Sequence, residues 1–226
     1  QSSIISITIP SEVKRIGIRA FYFCKQLKEI KIPIDSQLQI IDEKAFAKTS
    51  IKTIYIPSHF VELNRKWCND CLKLKKIDIS PNNPYYKTLE NKIIIGKKAI
   101  DEENYSKLVF CYHDIVSVTI PNFIENICSS AFENCKIQNF EIEKESKLKQ
   151  IDKKAFYKSS IKSIKIPNQV IKISKSSFCQ CKKLQIVEIP VDSNLQIIDD
   201  NAFSYTLIES ITIPSNVTRI GKNSFC

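Results

Sequence analysis

Glycine is scarce in this chain of 226 residues, where Gly17, Gly96 and Gly221 are the only three, and methionine is absent. Phosphate-cradling loops that depend on several closely spaced glycines are thereby excluded. Histidine occurs only as His59 and His113, and there is no GxSxG elbow or HExxH run. A converging nucleophile, base and orienter therefore has little to be built from, and the sequence predicts neither an enzyme nor a cofactor. No stretch approaches the roughly 18 consecutive apolar residues of a membrane-spanning helix. The first residues also lack the pattern of a signal peptide. With no methionine, a strand-like beginning and a stop in mid-repeat at Cys226, the chain reads as a piece of a longer protein. In a piece, such absences say nothing about location.

What the chain has in abundance is a repeat. A run of the form IxxIxIP, then an apolar pair and an aromatic, starts at Ile4, Leu27, Ile51, Leu74, Ile115, Ile137, Ile161, Leu184 and Ile208. The starts lie 22 to 24 residues apart, except for 41 between Leu74 and Ile115. A fixed period in this range means a solenoid, in which each coil buries its apolar face only by stacking on its neighbours. The alternating IxI core predicts a short strand, apolar side inward. Pro10, Pro33, Pro57, Pro121, Pro167, Pro190 and Pro214 close seven of these strands, because proline has no N–H to give to a ladder. Further along each coil, Ile16, Ile41, Ile151 and their counterparts precede a residue suited to a helix N-cap in seven of eight cases, Gly, Asp, Asn or Ser, with Cys128 the exception. A short helical turn is predicted there, driving Phe21, Phe46, Trp67, Phe132, Phe156, Phe178, Phe203 and Phe225 into the core.

The expected fold is thus an α/β repeat solenoid of about nine coils, forming one domain over residues 1–226. It would be a right-handed coil with a parallel sheet on one face and short helical or irregular turns on the other. A β-hairpin island is expected at about residues 80–113, where Lys92 to Ile95 and Lys107 to Tyr112 alternate or run apolar. The second, sixth and eighth coils share a Ser-x-Leu-x-x-Ile-Asp stretch, beginning at Ser36, Ser146 and (in variant form) Ser193. That alternation suggests a double repeat of about 47 residues as the underlying unit.

The pattern IxxIxIP…IxxxAFxxCxxL, nearly whole from Ile4 to Leu27 and again from Ile161 to Leu184, resembles the BspA-like leucine-rich repeat surface proteins of bacteria and trichomonads. The resemblance covers the whole chain. The opening of the island, Asn83-Pro84-Tyr85-Tyr86, is similar to the Asn-Pro-x-Tyr of the family's insert, although Glu90-Asn91-Lys92 stands where the family has an Asn-Gly or Asp-Gly turn. The resemblance implies a cell-surface or secreted adhesin-like protein that binds host matrix or cell-surface glycoproteins.

Other candidate chemistry is limited. Cys24, Cys71, Cys135 and Cys181 recur at nearly one repeat offset but in alternate coils. Two layers, about 10 Å, exceed the roughly 7 Å that a disulfide can bridge, so buried thiols are expected. Cys68 and Cys71 with Cys111 and His113, flanking the island, are the sharpest zinc candidate. Repeat offsets shared with Cys179 and Cys181 already account for two of them, and no metal is predicted. Asn104 and Asn216 head N-glycosylation tripeptides. The outward strand positions run from Ser6 and Thr8 to Ser210 and Thr212 and hold three lysines against four acids. The net charge of +10 must then lie elsewhere, at Lys14-Arg15, Lys44, Lys97-Lys98, Lys153-Lys154 and Lys182-Lys183. Tyr55 is the one aromatic in the outward row, which argues against a nucleic-acid groove. Lys31, Tyr55, Lys76 and Lys165, with Tyr85 and Tyr86 of the island, are the expected protein-contact residues. Binding of an anionic glycan by the convex lysines and a structural spacer are the alternatives.

Overall fold

The computed structural model describes residues 2–64 and 66–226. Its chain forms two compact units, Gln1–Asn91 with Ala99–Asp101, and Lys92–Lys98 with Glu102–Cys226. The first unit contains β1 (Ser6–Thr8), β2 (Arg15–Ile16), β3 (Glu29–Lys31), β4 (Ile40–Ile41), β5 (Thr53–Ile56), β6 (Glu62–Leu63), β7 (Lys76–Ile79) and β8 (Tyr86–Leu89). The second contains β9 (Ile93–Gly96), β10 (Lys107–Cys111), β11 (Ser117–Ile120), β12 (Asn126–Ile127), β13 (Asn139–Ile142) and β14 (Gln150–Ile151). It continues with β15 (Ser163–Lys165), β16 (Lys172–Ile173), β17 (Ile186–Glu188), β18 (Ile197–Ile198) and β19 (Arg219–Ile220).

The strands of the IxI runs pair in parallel two by two: β1 with β3 and β5 with β7 in the first unit, β11 with β13 and β15 with β17 in the second. This is the structural counterpart of the alternation between coil types. The central apolar residue of each three-residue pair strand in the second unit turns inward, as where Ile164 and Val187 are buried between exposed neighbours. The expected strand at Ser210–Thr212 does not form. Six of the seven repeat prolines lie past a strand, and the carbonyl of each of the seven accepts a bond from the N–H three residues on, as from Val170 to Pro167 at 3.1 Å.

A second ladder was not expected. The two-residue strands β2, β4 and β6 pair in parallel in the first unit. In the second unit, β10, β12, β14, β16, β18 and β19 form one unbroken parallel series. The island hairpin is present as the antiparallel pair β9 and β10, with a bulge between Leu108 and Phe110.

The predicted helical turns are the part of the fold class that does not hold: among the described residues there is no helix. The N-cap-like residues do open a turn, Ala155 N–H reaching Asp152 at 3.1 Å and Ala202 N–H reaching Asp199 at 3.2 Å. The turn fails to propagate because every fourth residue adopts the left-handed conformation. Lys44 and Lys48, Lys154 and Lys158, Ser176 and Gln180, and Asn201 and Tyr205 all have φ between 54° and 61°. Alternate N–H groups then leave the coil altogether. Phe156 donates to Ser177 at 2.7 Å, Phe178 to Ala202 at 2.8 Å and Phe203 to Ser224 at 2.7 Å. A left-handed non-glycine residue costs of order 1 kcal/mol, and the bond to the next coil offsets it.

That arc carries the aromatic column. In the second unit Phe132, Phe156, Phe178, Phe203 and Phe225 stack face to face with centroids 4.8, 4.9, 5.1 and 5.5 Å apart. In the first, Phe21 stacks on Phe46 at 5.3 Å, and Trp67 meets Phe46 edge-on. Beside the rings, Cys71 donates to the Phe46 carbonyl and Cys181 to the Phe156 carbonyl, both at 2.9 Å. Burial pushes the Cys181 thiol up to about 12, so it serves as a small core group that also satisfies a carbonyl.

Two glycines at one repeat position offer a test of how tightly coils stack. A Cβ at Gly221 would sit 2.4 Å from the Asp200 nitrogen, whereas one at Gly17 would meet nothing within 4 Å. Gly221→Ala is expected to cost about 2 kcal/mol, and Gly17→Ala to be neutral or slightly stabilising. Urea unfolding of the two variants measures the difference, and equal midpoints would show that the last coil does not pack as described.

Candidate functional site

In each unit the strand pairs turn an outward row of side chains to solvent. In the second unit it begins with short polar residues, Ser117, Thr119 and Asn139, and continues through Glu141, Ser163, Lys165, Ile186 and Glu188. Parallel register sets Lys165 opposite Glu188 and Ser163 opposite Ile186. Between the two doublets the ladder is interrupted: among the described residues no backbone hydrogen bond joins β13 to β15. A groove of about 690 Å³ opens over this gap, lined by Glu141, Glu143, Glu145, Lys165, Pro167 and Ile186 among others. A shallower one of about 540 Å³ adjoins it beside Val191, sharing Lys165, Ile186 and Glu188.

Charge on this face is distributed differently in the two units. In the first, Lys31 lies 3.7 Å from Glu29, and Lys76 lies 2.8 Å from Asp78. Those lysines are neutralised on the spot. In the second, no ion pair involves Glu141, Glu188 or Lys165 among the described residues. Tyr55 stands half-buried on β5 opposite Asp78.

The two tyrosines expected to meet a partner sit on the island side of the first unit. Tyr85 is half-buried. The Tyr86 hydroxyl accepts from Leu63 N–H at 3.1 Å and donates to the Val61 carbonyl at 3.2 Å, with its ring 5.9 Å from Phe60. Tyr86 is thus engaged by the fold. Asn83 explains the Asn-Pro-x-Tyr motif: buried, it donates to the Pro57 and Phe60 carbonyls, each at 2.9 Å, and accepts from the Tyr85 and Tyr86 amides. In the second unit, Lys98 of the island lies 2.6 Å from Glu125 and Lys149 lies 3.3 Å from it. The Lys98 ammonium holds the Glu125 carboxyl below its ordinary range.

Among the described residues no three His, Cys, Asp or Glu side chains gather as metal ligands, so Cys68, Cys71, Cys111 and His113 form no such group. Cys111 lies in the coil next to Cys135, whose thiol donates to the Cys111 carbonyl at 3.6 Å. That adjacency was invisible from the column of alternate cysteines. Asn104 is exposed, whereas the Asn216 amide nitrogen already donates to the Ser193 carbonyl at 2.8 Å. No helix of the described residues is long and apolar enough to cross a membrane.

The profile of the BspA-type leucine-rich repeat region matches residues 1–99 and 103–226, in six copies. The chain belongs to the BspA-type leucine-rich repeat family. Among solved structures it is similar to the pneumococcal vaccine antigen PcpA, with 20% identity and a TM-score of 0.67 over 99% of this chain and 48% of that one. A leucine-rich cell-surface protein from Faecalibacterium prausnitzii matches at 22% identity and a TM-score of 0.55, over 81% of this chain and 59% of that one. A leucine-rich repeat protein from Eubacterium ventriosum matches at 17% and 0.53, over 98% and 82%. These likenesses establish the fold, a solenoid of stacked parallel coils. The chain spans about half the length of PcpA. No curated protein matches it.

Proposed function

We propose that the chain is a non-enzymatic protein-binding scaffold of a cell-surface protein, and that it docks a host matrix or cell-surface glycoprotein on the outward face of its strand pairs. The observation that carries this reading is the groove over β13, β15 and β17, where exposed Ile186 stands among unpaired charges. An apolar side chain left 55% exposed on a regular strand is free to be covered by a partner. Membership in a repeat family with surface antigens among its structural neighbours supports the location. Tyr55 in the first unit and Lys165 in the second each stand outward on a strand pair of their own unit.

A second reading, capture of a sulfated glycan by convex cations, is favoured by Lys48 and Lys25 near the Phe23 ring and by Lys154 and Lys158 about the Tyr157 ring. Salt separates the two. Binding to immobilised matrix glycoproteins is expected to change little between about 50 and about 200 mM salt, whereas heparin binding carried by lysines would fall steeply. Ile186→Ser is expected to weaken the glycoprotein about fivefold or more, since it removes an apolar side chain from the covered area. Heparin binding alone, indifferent to Ile186, would move the site to the convex lysines.

A further inference from the structure

On the reading that the outward strand face docks a protein, we infer that the groove over β13, β15 and β17 takes an extended partner segment with apolar and cationic residues in alternation. Four carboxylates border it, those of Glu141, Glu143, Glu145 and Glu188, against the two ammonium groups of Lys144 and Lys165. Four acids less two lysines leave the groove at −2, on a chain whose net charge is +10. Glu143 accepts the Asn122 amide at 2.9 Å, but among the described residues no ion pair involves the other three. The outward strand acids of the first unit, Glu29 and Asp78, are met by lysines of their own strands. Negative charge left unmatched on one face of a basic protein selects a cationic partner and repels a polyanion.

The floor supplies the other half of the recognition. Ile186 and the rings of Pro167 and Pro190 line the groove, and Val191 stands 74% exposed at its margin. An extended chain turns alternate side chains to opposite sides, so it can set one series on this floor and the other toward the carboxylates. The segment this chemistry fits is a strand-like run such as Lys-Val-Lys-Val, presented by the partner protein.

The test uses the whole chain and two fluorescein-labelled, end-capped decapeptides, one alternating Lys and Val, the other Glu and Val. Fluorescence anisotropy is expected to show binding of the Lys-Val peptide and none of the Glu-Val peptide. Glu141→Gln/Glu188→Gln, which preserves size and removes charge, is expected to weaken that binding about tenfold. Lys165→Ala is expected to strengthen it, and Glu29→Gln in the first unit to leave it unchanged. Equal binding of both peptides, no binding of the Lys-Val peptide, or an unaltered affinity in the double glutamine variant would each overturn the inference. Glycoprotein binding that is lost in Ile186→Ser yet unaffected by the double glutamine variant would leave the docking face standing and remove only the cationic partner.

Discussion

Phe156→Ala is expected to cost about 4 kcal/mol, at the upper range for truncating a buried ring. Phe156 is fully buried between Phe132 at 4.8 Å and Phe178 at 4.9 Å, and Phe140 meets it edge-on at 5.0 Å. Removal of the ring leaves a hole that its neighbours cannot fill by moving together. Their spacing is held by main-chain bonds on both sides, Phe132 to Ala155 and Phe156 to Ser177, each at 2.7 Å. Phe156→Leu, which keeps most of the volume, is expected to cost less than half as much. Urea unfolding of the two variants decides the matter: a loss under about 1.5 kcal/mol for the alanine would mean that the coils collapse onto the gap and that the column is not the rigid core described.

Asn83→Ala is expected to cost about 3 kcal/mol through a different mechanism. One buried side chain there serves two carbonyls and two amides, and its loss leaves four main-chain groups of the first unit to find other partners. Asn83→Asp distinguishes the donor role from the acceptor role. The two amides would keep their oxygen, while a carboxylate would face the Pro57 and Phe60 carbonyls. Both the burial and those carbonyls would raise its folded-state pKa above the unfolded value. A raised pKa means stability that is present at low pH and lost as pH rises through the folded value, so the deficit of Asn83→Asp relative to wild type should shrink on acidification. Thermal melts of both proteins from pH 7 downward measure this, and a deficit independent of pH would show that Asn83 does not face two carbonyls.

Period and polarity were enough to place the strands. The starts from Ile4 to Leu184 put Ser6–Thr8, Glu29–Lys31, Ser163–Lys165 and Ile186–Glu188 on strands with the expected residues outward. The column of rings followed from Phe46, Phe132, Phe156, Phe178 and Phe203 recurring once per coil. The turns were misread because Asp42, Asp152 and Asp199 look the same at the head of a helix and at the head of a single turn. What separates the two is the backbone of residues such as Lys154 and Lys158, and lysine carries no signal for a left-handed conformation as glycine does. The candidate site was legible only in part. Lys165 and Ile186 could be read off the strand pattern, but Glu143 and Glu145 join them only because β13 and β15 part, and pairing between strands is a property of layers.

The interrupted pairing of the outward strands has a mechanical consequence. In the second unit the ladder from β10 to β19 runs without a break, whereas the outward strands are joined only within doublets. One side of the stack is therefore stiff along its length, and the other is compliant at the seam between β13 and β15. Bending about the stiff side would widen or narrow that seam without breaking a ladder bond. Tension along this unit would then act first on the width of the groove.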